Sequence, residues 1–349
     1  MKTYRGPWPM LFSIALYALL EAPVIALPKP LQYQHYTQRE GLSSDMVNCI
    51  AVQGEEVWFG TYGGGATLFN KTKKLWRAYT TKGEPVDKED DGNSIQWKNL
   101  LPYNHVSVIV PDRDRIWFGT YFYGFGGGGI SYYAPSKKPP WKRFNTNGGK
   151  AKKVVSMAVD GESVWVGSEK GLSVLDKKTE GWRAFYSMED GLPGNFINAI
   201  VVNAQVLWIA SNAGVSRFDK ERKAWKHYSR DEGLPETEIR SLARVGQSLW
   251  AGGPMGSLAE YDAVTDRWKR LEPTDPLKNG AIHFITATKG RVLICRENGL
   301  SLYELATGKW EALTVSDGLI SNTVFFAAED GESIWIATDK GASRIIWKP

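Results

Sequence analysis

Histidine and cysteine are scarce here, four and two in a chain of 349 residues. No His-Glu-x-x-His, Gly-x-Ser-x-Gly or phosphate-loop motif occurs, nor any Cys-x-x-Cys-His, so metalloprotease, serine-hydrolase, nucleotide-cradling and covalent-haem chemistry have no basis in the sequence. The net charge is +5, yet there is no dense basic run, and acidic residues are interleaved throughout. A nucleic-acid binder concentrates Lys and Arg on one face or segment, so a nucleic-acid partner is not expected. The N-terminal apolar run, Met10 to Leu20, is too short to span a bilayer and suits the core of an export signal. Lys2 and Arg5 precede it, and Val24 and Ala26 form a cleavage site. Residues 1–26 therefore read as a signal peptide and 27–349 as the mature domain, periplasmic or secreted, with no stable membrane span after processing. Pro23, Pro28 and Glu21 argue against a retained anchor, and no cysteine follows the run to accept a lipid.

What the chain has in plenty is glycine (36) and tryptophan (15), and the tryptophans are periodic. Trp58-Phe-Gly-Thr recurs as Trp117-Phe-Gly-Thr, Trp165-Val-Gly-Ser, Trp208-Ile-Ala-Ser, Trp250-Ala-Gly-Gly and Trp335-Ile-Ala-Thr, with Leu293-Ile-Cys-Arg as a degenerate copy. After the first two, longer intervals the period is about 42 residues, within the range of a propeller blade. Short alternating runs precede each copy (Val47–Ile50, Val106–Ile109, Val154–Met157, Ile197–Ile200, Ile239–Leu242, Ile282–Ile285) and read as half-buried strands. Tight turns follow at Gln53-Gly54, Asp160-Gly161, Lys289-Gly290 and Asp330-Gly331, where a type I′ geometry is expected. A third strand and a fourth, opened by Trp76, Trp141, Trp182, Trp225, Trp268 or Trp310, complete each unit. The expected fold is all-β, a seven-bladed β-propeller of four-stranded antiparallel blades with the tryptophans filling the wedges between blades.

The ends fit a closed ring. The seventh copy stops after its third strand, while Leu31 to Thr37 has the look of a spare fourth strand, so residues 31–37 are expected to complete the last blade. Closure leaves no open edge to aggregate. Cys49 and Cys295 fall in the first and sixth units, which are not neighbours, so two buried free thiols are expected.

The junction phrases Glu40–Val47 (EGLSSDMV), Asp190–Ile197 (DGLPGNFI), Glu232–Ile239 (EGLPETEI) and Asp317–Val324 (DGLISNTV), each followed by the Trp motif, resemble the two-component-regulator propeller repeat. The resemblance covers nearly all of residues 31–349. It implies a bacterial envelope protein of the sensor type with a glycan or protein ligand. No kinase, immunoglobulin-like module or second membrane segment follows in this chain, so a free binding or scaffold protein, monomeric, is the expectation.

Two candidate sites follow. Insertions at 81–99 and 121–129 lie on the face that carries the fourth-to-first and second-to-third strand loops, and present Trp97, Tyr103, Tyr121, Phe122, Tyr123 and Phe125. Aromatics in long loops suit stacking on sugar rings or gripping a peptide. The acidic stretch Asp87–Asp91 lacks the alternation of a calcium loop, and no metal or other cofactor is expected. The second candidate is a ring ten residues before each Trp position: Asn48, Ser107, Val155, Asn198, Arg240, His283 and Phe325, of which Asn48, Asn198, Arg240 and His283 are candidate channel contacts. A third ring, Asp45, Asn104, Asn195 and Asn322 among it, reads as turn-forming. The function expected is non-catalytic binding. Two alternatives stand beside it. One is a pure protein-interaction scaffold. The other is a magnesium-dependent lyase, since the chain is loosely similar to streptogramin-lyase-like propellers and places His283 and Glu297 on adjacent strands, although Gly-Thr stands where that family has Thr-Glu.

Overall fold

The structure, a computed structural model, describes residues 31–82, 100–121, 128–271, 274–331 and 333–346. The proposed signal peptide lies outside them. The described residues form seven four-stranded antiparallel sheets, arranged as the blades of a propeller. Blade 1 consists of Val47–Gln53, Glu56–Thr61, Ala66–Asn70 and Leu75–Tyr79 in that order. The last blade takes its first three strands from Val324–Asp330, Ser333–Thr338 and Gly341–Ile346, and its fourth from Gln32–Tyr36 at the other end of the chain. That pairing runs from Gln32 opposite Ile346 to Tyr36 opposite Ala342. The ring is closed by an ordinary ladder, and no blade is left with an unmatched strand.

Each seam holds one hydrophobic cluster, and the Trp motif explains it. Trp58 of blade 1 packs among Val106, Ile109 and Phe118 of blade 2, and Trp165 of blade 3 among Ile197, Leu207 and Ile209 of blade 4. Trp335 of the last blade lies among Val47, Val57 and Phe59 of the first. In the sixth blade Leu293 takes the same place against Ile334 and Ile345. Where a Gly stands two residues after the Trp, as in blades 2 and 3, the next blade approaches closely. A Cβ on Gly119 would come within 2.6 Å of Val154 of the next blade, and one on Gly167 within 2.7 Å of Ile197. The Thr or Ser after it turns back on the following Gly carbonyl: Thr61 Oγ1 donates to Gly65 O at 2.8 Å and Thr338 Oγ1 to Gly341 O at 2.7 Å. Large indole, small glycine, hydroxyl cap is thus a wedge, a gap and a turn lock in consecutive places.

The hairpin turns differ from the expected type. In blades 1 and 3 the two turn residues are Gly54-Glu55 and Gly161-Glu162, because Gln53 still pairs with Glu56 and Asp160 with Ser163. Only the first turn residue has a positive φ (Gly54 56°, Gly161 55°). That is the pattern of a type II′ turn, which leaves the Glu in the region that L-residues prefer. The fifth blade's first strand also starts later than the alternation suggests, at Ser241 rather than Ile239. Both cysteines are buried and free. Burial pushes the Cys49 thiol up to about 12 and the Cys295 thiol upward as well.

The aspartate that ends the first strand does a further job. Asp112, Asp160 and Asp330 accept the indole N–H of Trp117, Trp165 and Trp335, five residues on, at 3.2, 3.2 and 3.0 Å. Each also receives a lysine from the following blade: Lys177 on Asp112 at 2.9 Å, Lys220 on Asp160 at 2.5 Å and Lys71 on Asp330 at 2.7 Å. Where the aspartate is Gln53 or Val245 instead, the buried indole N–H of Trp58 or Trp250 has no partner. Removing the carboxylate strands the indole N–H of the buried Trp335 and a part-buried lysine, so Asp330→Ala should lower unfolding free energy by about 1–3 kcal/mol in urea titration. A loss under about 0.5 kcal/mol would show the staple to be idle.

A second staple closes the seam between blades 4 and 5. Asp266 accepts from Tyr228 at 2.6 Å and Tyr261 at 2.5 Å and pairs with Lys226. Partial burial acts to raise its carboxyl, but these donors outweigh that and hold it well below the usual carboxylate range. A carboxyl depressed in the folded state stabilises above its unfolded pKa of about 4, and that contribution disappears as pH falls through the folded value. Between about pH 5 and pH 2 the wild type should therefore lose more stability than Asp266→Asn, read as urea midpoints. Equal acid slopes would contradict the assignment.

Candidate functional site

The first strands of the blades line the axis of the ring, and six of the seven share one irregularity. The ladder between first and second strands skips a residue after Val47, Val106, Val154, Ile197, Ile282 and Val324. The skipped residues are Asn48, Ser107, Val155, Asn198, His283 and Phe325. A bulge of this kind bends the strand and re-aims one side chain. In blade 5 the corresponding residue, Arg240, sits just ahead of the strand, with its N–H on Gly252 O at 2.8 Å. All seven positions line one axial cavity of about 440 Å³, which continues past Met157, Ile200, Leu242, Phe284 and Phe326. The structure therefore places Asn48, Asn198, Arg240 and His283 around one cavity, as the seven-fold spacing implies.

Their chemistry splits the ring into two arcs. In blades 1 to 4 a polar side chain crosses the seam to the carbonyl that opens the next blade's first strand. Asn48 Nδ2 donates to Val106 O at 3.0 Å, Ser107 Oγ to Val154 O at 2.6 Å, and Asn198 Nδ2 to Ile239 O at 2.9 Å. At blade 3, where the bulge residue is Val155, its neighbour Ser156 donates to Ile197 O at 2.9 Å instead. These side chains tie blades together. Blades 5 to 7 are different. Arg240 Nε donates to Glu238 Oε1 at 3.1 Å within its own blade. His283 Nε2 is buried without a hydrogen-bond partner, and the Phe325 ring meets the His283 ring edge-on at 5.3 Å. Burial, and secondarily the Arg240 charge, lower the His283 pKa against the opposing pull of Glu297, so the imidazole is neutral at pH 7.

The third ring is turn-forming. Asp45, Asn104, Asn195 and Asn322 accept backbone N–H groups of Gln38, Thr81, Met188 and Val315. At the mouth, on the insertion-bearing face, a run of rings crosses blades 1 and 2. Tyr62, 46% exposed, lies 4.6 Å from the His105 ring, and His105 lies 5.8 Å from Tyr121. Burial takes His105 down to about 4, which keeps this run neutral. Tyr103 is half-buried in the loop just ahead of blade 2. Trp97, Phe122, Tyr123 and Phe125 lie outside the described residues, as does Asp87–Asp91. Tyr62 and His105 were not among the candidates, because Tyr62 stands where other repeats carry Glu169 or Asp339 and nothing in the spacing marks it.

Sequence reasoning also missed Arg296, the last residue of the degenerate motif. It is fully buried against an equally buried Asp275 at 2.8 Å and donates to Gly256 O and Gly280 O at 3.2 and 2.8 Å. It replaces the Thr cap of other blades and locks blade 5 to blade 6. For the lyase alternative, no group of three His, Cys, Asp or Glu side chains able to hold a metal is found among the described residues. No helix among them is long and apolar enough to cross a membrane.

Fold and site together define a seven-bladed propeller with a partly polar axial cavity and an aromatic run at one mouth. Several solved structures have a similar shape. The chain matches the extracellular domain of a putative hybrid two-component system from B. thetaiotaomicron with a TM-score of 0.72 and 20% identity, over 90% of this chain and 42% of that one. The extracellular domain of a putative one-component system from the same organism gives 0.69 and 20%, over 90% and 40%. Virginiamycin B lyase from Staphylococcus aureus gives 0.64 and 14%, over 91% and 99%. The chain thus spans 42% or less of the length of those extracellular domains. At these identities the likeness is one of fold. No family model and no curated protein matches.

If Asn198 is a seam tie, its loss leaves the Ile239 carbonyl unpaired. Asn198→Ala should cost about 1–2 kcal/mol of unfolding free energy, while Arg240→Ala should cost under about 0.5. Equal losses in chemical denaturation would erase the distinction between the arcs.

Proposed function

We propose that this chain is a non-catalytic, exported binding propeller of the sensor type, related to the two-component-regulator propeller repeat, and that its ligand is a carbohydrate held on the insertion-bearing face. The aromatic run Tyr62–His105–Tyr121 carries the reading. Three rings spaced at 4.6 and 5.8 Å across two blades offer an extended, neutral stacking surface. Sugars present flat apolar faces edged by hydroxyls, and aromatic side chains with a polar handle suit both parts. Lys153 stands over Tyr121 at 6.0 Å and pairs with Glu169 at 2.8 Å, adding a polar edge to the same surface. The fold shared with extracellular domains of two-component proteins supports an extracytoplasmic binding role. The likeness to the lyase extends to the fold, and His283 with Glu297 falls short of a metal-binding set.

Retention on an oligosaccharide array is the direct test. The wild type should be retained by at least one class of oligosaccharide, and the pair of changes Tyr62→Ala and Tyr121→Ala should weaken that binding by at least about tenfold with little change in melting temperature. No retention by any oligosaccharide, or retention indifferent to both tyrosines, would overturn the reading.

A further inference from the structure

The axial cavity is a separate feature from the aromatic run, and its two arcs are not equivalent. Asn48, Ser107 and Asn198 use their donors on the carbonyl of the next blade. Arg240, His283 and Phe325, on three consecutive blades, occupy the same position without such a bond. We propose that this arc is a second binding site, for a small monocarboxylate with a flat apolar body.

Three observations carry it. Arg240 uses Nε on Glu238, and its terminal nitrogens take no hydrogen-bond partner among the described residues. Those nitrogens form the planar fork that meets a carboxylate with two parallel bonds. His283 Nε2, in the wall of the same cavity, is buried and unpartnered. A buried polar atom left without a partner is costly, and a carboxylate oxygen satisfies it when the proton is on Nε2. Phe325 beside His283, with Phe196 on the wall, supplies ring faces for a flat body. The volume of about 440 Å³ is at the small end for ligand sites, so a metabolite-sized molecule fits better than a polymer. Charge sets the valence. Arg240 is the one cation on the cavity wall among the described residues, and Glu238 beside it and Glu297 near His283 are both acidic, so a ligand with a second negative charge is disfavoured.

The site is independent of the sugar reading, and the experiment keeps them apart. The full mature chain is titrated calorimetrically with 3-phenylpropionate and with its uncharged amide. The acid should saturate with a Kd below about 1 mM, the amide should bind at least about tenfold more weakly, and Arg240→Gln should lose at least about tenfold for the acid. Tyr62→Ala should leave acid binding unchanged, whatever it does to oligosaccharide retention. The comparison of acid with amide uses the wild type alone, so it stands even where a variant folds poorly. Equal binding of acid and amide, or no saturation by the acid up to about 10 mM, would overturn the proposal.

Discussion

One skipped residue near the start of six of the seven first strands shapes the centre of this molecule. Strands packed side by side around an axis converge, and their ladders cannot run straight to the mouth without crowding it. The bulge relieves this by taking one residue out of register, so a carbonyl and a side chain both leave the ladder. In blades 1, 2 and 4 the skipped residue's side chain meets a carbonyl of the next blade, as Asn48 meets Val106 and Asn198 meets Ile239, and in blade 3 the neighbouring Ser156 does so instead. The channel wall is thus also a belt of seam bonds. Where the belt is interrupted, at Arg240, His283 and Phe325, the equivalent positions present side chains to the cavity with other chemistry. Structure and recognition share seven equivalent places and divide them between arcs.

Outside the belt, the seams are held by burial and then by charge. The Trp wedge removes a large apolar area from water at almost every seam, and the small residue after it lets the next blade close in. Three seams add an aspartate that binds the indole and a neighbour's lysine, and the seam between blades 4 and 5 adds Asp266 with its tyrosines. The seam between blades 1 and 2 has neither aspartate device. It leans on Trp58, Tyr79, Tyr133 and Trp141, whose rings lie within 5.6 Å of one another along the cluster.

Much of the fold was legible because repetition makes each local signal count several times. The Trp motif, the junction phrase and the strand shared between the termini are all periodic, and the period of a propeller leaves few other solutions. The channel ring was legible for the same reason, since equal offsets from equivalent tryptophans must fall on equivalent places. Roles within the ring were not. Whether Asn48 faces a ligand or a carbonyl depends on where the ladder skips, and a skipped residue leaves no mark in the alternation of apolar residues. The turn type was misjudged by one residue, because Asp160 and Asp330 were needed in the strand to hold an indole and a lysine. Arg296 looked like decay of a motif and is a buried latch, since its partner Asp275 lies in a loop without periodicity. The aspartate five residues before the tryptophan, by contrast, is visible in the sequence once its purpose is known.

The centre of the ring is defined by which side chains cross a seam to the next blade and which do not. A crystal structure of the protein tests this most directly. Asn48 and Asn198 should be found with their amide nitrogens about 3 Å from the Val106 and Ile239 carbonyls, while Arg240 and His283 make no bond to the next blade. Unbroken ladders between first and second strands, with the asparagine amides turned to the axis like the arginine, would contradict it.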